Sequence, residues 1–190
     1  MVRIKYMLSS IGDINMNKII IYGSKYGSTE KYAKELARRI NVEAIEYDKI
    51  KNINDYDYII YLGALYAGGV MGLVKTLKKI DDLKSKEFVI VTVGAADTTD
   101  SNNINNIENG INKQIPEEIY NKAKIFHLRG AIYYSKLDVK HKIMMKLLYN
   151  RAKNIPEEKQ TPEIKLMLET YNKEADFVDF NTLDNIINVL

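Results

Sequence analysis

Ile19-Ile20-Ile21-Tyr22-Gly23-Ser24-Lys25-Tyr26-Gly27-Ser28-Thr29 is the stretch whose reading decides the fold. Its first four residues are apolar without alternation, the pattern of a strand covered on both faces, as inside a parallel sheet. The chain then turns at Gly23 and enters a helical pattern from Thr29 to about Ile40, where Ala33, Leu36, Ala37 and Ile40 form one apolar stripe. A loop of this kind offers a phosphate dianion three hydroxyls (Ser24, Ser28, Thr29), a glycine that lets backbone approach, and the unpaired N–H groups of a helix start. Charge-assisted hydrogen bonds contribute about 1.5–3 kcal/mol each. The same residues also suit a plain glycine turn with a Ser/Thr cap, so the loop alone leaves both readings open.

Outward from that stretch the alternation repeats. Val42 to Tyr47 reads as a second strand, nearer an edge because Glu43 and Glu46 interrupt it. Tyr58 to Leu62 reads as a central third strand, and Val70, Leu73, Val74, Leu77 and Ile80 as a helical stripe after it. Phe88 to Val93 is a fourth strand, Ile104, Ile107 and Ile111 mark a helix, and Lys124 to Leu128 begins a fifth strand. Phe177-Val178-Asp179-Phe180 is strand-like, and a closing helix capped by Asn181 carries Leu183, Ile186, Ile187 and Leu190 on one face. Strands alternating with helices predict one doubly wound, five-stranded parallel sheet with helices on both faces. Ligands of such sheets sit beyond the strands' carboxyl ends, here the loops starting at Gly23, Gly63 and Gly94.

The totals close off other chemistries. At 190 residues the chain suits one well-cored domain. It has no cysteine, which removes disulfides, zinc–thiolate sites, iron–sulfur clusters and thiol catalysis. Two histidines, His127 and His141, make no histidine-built metal centre. No apolar run reaches the roughly 18–20 residues of a membrane span. The net charge of +3 is compatible with an anionic ligand or surface, and the basic residues are not set among stacking aromatics as a nucleic-acid site would have them. Residues 1–15 are too short and interrupted for a signal peptide, and Met16-Asn17-Lys18 before Ile19 is a natural start for a strand-first domain. The expectation is therefore an extension at 1–15 outside the fold, a domain at 16–190, and an insertion at about 135–175.

The dinucleotide fingerprint fails, since the first loop has only Gly23 and Gly27, and no Gly-Lys-Ser/Thr of a nucleotide P-loop is present. A two-component receiver would need acidic strand ends, where this chain has Ile-Tyr-Gly and Leu-Gly.

Ser24-x-Tyr26-Gly27-Ser28-Thr29 after an apolar first strand resembles the phosphate loop of the flavodoxins. The second loop, Gly63-Ala64-Leu65-Tyr66-Ala67-Gly68-Gly69, stands where that family wraps one face of the isoalloxazine ring; the third, Gly94-Ala95-Ala96-Asp97-Thr98-Thr99, stands where it closes on the other. The resemblance implies a flavodoxin-like FMN site. Its phosphate would lie on Ser24, Lys25, Tyr26, Gly27, Ser28 and Thr29, and its ring against Ala64, Leu65, Tyr66, Ala67 and Gly68 on one side and Gly94, Ala95, Ala96, Asp97 and Thr98 on the other. Tyr66 is the residue expected to stack on the ring; a half-buried surface tyrosine is the plainer alternative in a chain with 14 of them. The ring loops hold Asp97 and little other negative charge, so a less strongly reducing flavin is expected than in acidic flavodoxins.

After Leu128, the run Arg129-Gly130-Ala131-Ile132-Tyr133-Tyr134 leads to a basic, Ile/Met-rich helix, Lys142 to Leu148. This order is similar to the flavodoxin-domain group that contains the menaquinone-dependent protoporphyrinogen oxidase, over about residues 17 to 190. The insertion here is longer, with a further helix at Glu163–Tyr171 opened by Thr161-Pro162. The resemblance implies an FMN oxidoreductase passing electrons to a quinone; an electron carrier between protein partners, not itself an enzyme, is the alternative, and a nicotinamide-using quinone reductase is the third. Val139, Ile143 and Leu147 with Met144 and Leu148 form an apolar face rimmed by Lys136, Lys140, Lys142, Lys146 and Arg151. The helix region 137–153 reads either as packed on the domain with a solvated basic face or as a peripheral contact with an anionic membrane or partner. A cytoplasmic protein, peripheral at the inner face of the membrane in the second case, is expected. Arg129 reads either as a partner for an anionic substrate carboxylate or as a strand-end residue, and His127, mid-strand, as structural.

Overall fold

Three consecutive isoleucines with no exposed face start a sheet that is covered on both sides. The computed structural model describes residues 16–190 other than Ala67 and the side chains of Pro162 and Glu163; the extension expected at 1–15 lies outside the described residues. β1 (Lys18–Gly23) leads into α1 (Ser28–Ile40), followed by β2 (Ala44–Glu46), β3 (Tyr58–Tyr66), a two-residue β4 (Gly69–Val70) and α2 (Leu73–Leu77). β5 (Glu87–Gly94), α3 (Ser101–Asn112), α4 (Glu117–Lys122) and β6 (Lys124–Arg129) complete the body. Beyond it come β7 (Ala131–Tyr133), α5 (Val139–Ala152), α6 (Pro162–Thr170), β8 (Glu174–Asp176) and α7 (Leu183–Ile187).

The sheet runs β2-β1-β3-β5-β6 with every one of these pairs parallel, as the alternation of strands and helices predicts. Strand order reverses between β1 and β3, which makes their carboxyl ends the switch point where ligands bind. One face packs Ile19, Ile21, Ile59 and Ile90 against Leu73 and Leu77 of α2, Ile111 of α3 and Ile119 of α4. The other packs Ile20, Ile60, Leu62 and Val91 against Tyr32 and Leu36 of α1 and Leu183 and Ile186 of α7. Each such fully buried aliphatic side chain contributes roughly 1.5–3 kcal/mol of transfer free energy.

Three local expectations are corrected. Val70 belongs to β4, which folds back antiparallel on β3, so the helical stripe shrinks to Leu73–Leu77. The strand expected at 177–180 lies upstream as β8, because Asp176 and Asp179 turn the chain by accepting the backbone N–H of Val178 and Asn181, each at 3.0 Å. For the same reason Asp179, not Asn181, provides the capping side chain before α7.

At α5 the structure decides between the two readings, since its aliphatic face is not packed down. Val139, Ile143 and Leu147 are 73%, 57% and 59% exposed, while His141 and Ala152 are the buried residues of the helix. Polar and aromatic contacts set its rotation: Asp138 caps it, His141 bonds to β3, and Tyr149 stacks on Tyr171 at 3.9 Å. β7 and β8 pair antiparallel to close the segment between them, and Lys31 of α1 reaches Tyr133 and Asp176 of that pair at 3.2 and 3.7 Å.

Candidate functional site

At the switch side β1, β3, β5 and β6 each end in, or just before, a small residue. β1 stops at Gly23, which is in register with Gly63 on β3, and a Cβ on Gly23 would lie 2.3 Å from the Met71 carbonyl oxygen. This close backbone approach lets the loops begin at one level. Gly27 then takes φ = 98°, a left-handed turn that glycine adopts without strain, and starts α1 without a side-chain cap. The first amides of α1, from Ser28 to Glu30, therefore point out of the helix start with no capping side chain, as an α-helix leaves them. Ser24 Oγ accepts the Gly27 N–H at 3.2 Å and Ser28 Oγ accepts the Ala131 N–H at 3.0 Å, so two of the three hydroxyls tighten the cradle itself.

A cleft of about 290 Å³ opens on this cradle, at the low end of the roughly 300–1,000 Å³ usual for ligand pockets. Lys25, Tyr26, Ser28 and Thr29 form its floor at the α1 start, and Ala64, Leu65 and Tyr66 one wall. Gly94 and Ala95 line it on the β5 side. All three loops singled out in the sequence thus meet in one place. Gly68, by contrast, lines a neighbouring depression with Gly69 and Gln114. Ala96, Asp97 and Thr98 are not among the cleft's lining residues. Asp97 instead closes its own loop, its carboxylate accepting the Thr99 N–H at 2.9 Å, which holds it below the usual carboxylate range. Ala67 lies outside the described residues.

Sequence reasoning missed two walls. Gly130 to Tyr133 line the cleft beside Ser28, with the Gly130 N–H donating to the Gly94 carbonyl at 2.7 Å. The signal was present: Gly130 follows a strand, as Gly23, Gly63 and Gly94 end or follow theirs. The other missed wall is a roof from the insertion, Leu137 and Met145. Asp138 and His141 fasten it. Asp138 Oδ1 accepts both the His141 backbone N–H at 2.9 Å and the ring Nδ1–H at 2.6 Å, and His141 Nε2 faces the Tyr66 hydroxyl as its partner. The His141 backbone N–H, with its ring and Lys25 beyond, keeps the Asp138 carboxyl below its ordinary value. Lys25 Nζ stands 4.0 Å from Asp138 and 5.6 Å from the centre of the Tyr66 ring.

Of the remaining candidates, His127 is structural as expected: Nδ1 bonds to Thr92 Oγ1 at 2.8 Å, and burial lowers its pKa, opposed by Glu108. Arg129 Cζ stands over the Phe177 ring, 4.0 Å from its centre, and its Nε is buried and unpartnered.

The residues fit a phosphorylated aromatic ligand on two counts. Unclaimed amides and the Thr29 hydroxyl gather at a helix start, and the Tyr26 hydroxyl is buried at the cleft floor without a partner. Burial, with Asp138 and Tyr66 adding to it, raises the Tyr26 pKa, so its phenol stays a hydrogen-bond donor at neutral pH.

Fold and cleft together define a doubly wound α/β protein with a ligand site at its switch point. A family profile described as a flavodoxin domain matches residues 19–159, and the chain belongs to that family. No curated protein matches it. Among solved structures it is similar to a candidate flavoprotein from Bacteroides eggerthii, at 15% identity over 70% of this chain and 98% of that one, with a TM-score of 0.46. It is also similar to a Fusobacterium nucleatum flavodoxin bound to flavin mononucleotide (15% identity, 57% and 67% of the two chains, TM-score 0.41). A third is a Lactobacillus acidophilus flavoprotein in complex with FMN (17% identity, 60% and 93%, TM-score 0.38). No described helix is long and apolar enough to cross a membrane.

Proposed function

We propose that the cleft holds FMN and that the chain is a redox protein acting through it. The observation that carries this reading is the convergence of the loops at Gly23, Gly63 and Gly94 on one cleft beside the α1 start. Lys25 and the backbone from Tyr26 to Thr29 hold the phosphate, and Ala64 to Tyr66 with Gly94 and Ala95 hold the ring. When bound, the flavin supplies the electron chemistry; the protein supplies position, exclusion of water and the surrounding charge. Titrating the purified protein with FMN tests this. A yellow 1:1 complex is expected, with riboflavin, which lacks the phosphate, binding at least about tenfold more weakly. Equal affinity for the two flavins removes the phosphate assignment.

Within that role, an oxidoreductase of the protoporphyrinogen-oxidase type, passing electrons to a quinone, is favoured over a carrier. The roof of Leu137 and Met145 supports it, since a carrier exchanges electrons with partners across an open ring edge. The outward row Val139, Ile143 and Leu147 beside Lys140, Lys142 and Lys146, on a helix with no acidic residue, suits the surface of an anionic bilayer where a quinone resides. Turnover of protoporphyrinogen with a quinone present separates the two: an oxidase consumes it catalytically, and a carrier does not. Sedimentation with phosphatidylglycerol vesicles tests the surface, with binding expected that phosphatidylcholine vesicles do not give.

A further inference from the structure

Asp138, His141 and Tyr66 form a continuous line of hydrogen bonds from solvent to the cleft. At its outer end, the Asp138 side chain is half exposed; in the middle, His141 is buried; at the inner end, Tyr66 lines the cleft. We propose that this line is a proton relay serving the molecule in the cleft, with Tyr66 as the group that touches it and His141 and Asp138 as positioning residues. The inference rests on the reading of the cleft as the FMN site.

The protonation pattern follows from the partners. Asp138 is held ionised and accepts only, so the Nδ1 facing it carries the hydrogen. His141 Nε2 is then an acceptor, and the Tyr66 O–H donates to it. This leaves the lone pairs of Tyr66 Oη free to take a proton. A proton leaving the cleft molecule bonds to Tyr66 Oη as the phenol's own proton passes to His141 Nε2, and no electrons move in that step. The resulting imidazolium lies against the Asp138 carboxylate, which offsets its charge; the reverse passage delivers a proton to the cleft. The logic is that of a hydroxyl, an imidazole and an orienting carboxylate in a row. The other groups facing the ring are Lys25, which lies beside both Asp138 and Tyr66, and Tyr26, edge-on with centroids 6.2 Å apart. The Lys25 cation there helps to keep the Asp138 carboxylate charged.

A purely mechanical role would need the same hydrogen bonds but would not respond to the state of the cleft. The test is ring ¹⁵N NMR of His141 in the FMN-loaded protein, oxidised and chemically reduced, with His127→Gln separating the two histidines. The His141 ring ¹⁵N shifts at a fixed pH are expected to differ between the redox states. The solvent-side Asp138→Asn should abolish the difference while the protein stays yellow, and Tyr66→Phe, loaded with excess FMN, should abolish it too. The pH dependence of the flavin midpoint potential should lose one break in both variants. Identical His141 ring ¹⁵N shifts in the two redox states, in a yellow wild-type protein, overturn the relay alone. A colourless wild type removes the cofactor reading and the relay with it.

Discussion

α1 and α5 are nearly the same length, 13 and 14 residues, and both carry an apolar row at helical spacing, yet they bury opposite sides. α1 turns Tyr32, Ala33 and Leu36 into the sheet until none is exposed; α5 turns Ile143 and Leu147 to solvent and His141 inward. The difference lies in what each helix meets. α1 follows directly from β1 and packs on the sheet, whereas the sheet's two faces are taken by α1 and α7 on one side and α2, α3 and α4 on the other, leaving none for α5. Aliphatic burial sets the first helix; an N-cap, a histidine and a tyrosine stack set the second. The body is thus built for stability, and the insertion is held by polar contacts that bear on the cleft.

The largest effect should come from emptying the α1 contact. Leu36→Ala is expected to cost about 2–5 kcal/mol in urea unfolding, the range for a buried leucine. A cost below about 1 kcal/mol would mean that α1 is not seated on the sheet. Next, Gly23→Ala should cost about 1–3 kcal/mol, because its methyl would meet the backbone oxygen of Met71, which cannot swing aside as a side chain can.

The two histidines extend the comparison to pH. His127 has its pKa lowered in the folded body, chiefly by burial, from the ordinary value of 6.5. The unfolded chain therefore binds a proton first as pH falls, so stability is unaffected above about 6.5 and declines below it down to the lowered folded value. Thermal melts between pH 8 and 5 should show that decline, and His127→Gln should reduce it; an unchanged slope would place the acid sensitivity elsewhere. The smallest effect belongs to α5: Ile143→Ala should alter stability by less than about 0.5 kcal/mol while weakening sedimentation with phosphatidylglycerol vesicles. A core-sized loss of stability there would show that the exposed row is covered in solution.

The body was legible because its signals are local. Ile19 to Tyr22, Tyr58 to Leu62 and Phe88 to Val93 each announce a strand buried on both faces, and their order dictates the parallel sheet. The floor and one wall of the cleft followed, since loops at the carboxyl ends of such strands must meet. The roof was not legible. Periodicity in Val139, Ile143 and Leu147 suits a face packed on the domain and an outward face alike, and it is the partners Tyr66 and Tyr171 that turn the row outward. Nor could spacing show that Asp97 bends back to cap Thr99 instead of facing the cleft, since an Asx turn and a ligand contact use the same side chain.

The most direct test of the account is titration of the purified wild-type protein with FMN, followed by flavin absorbance and fluorescence. The account predicts saturation at one FMN per chain with Kd at or below about 1 µM, equivalent to about 8.2 kcal/mol. A protein that stays colourless and leaves FMN fluorescence unchanged at tens of times that concentration, about 50 µM, would contradict it.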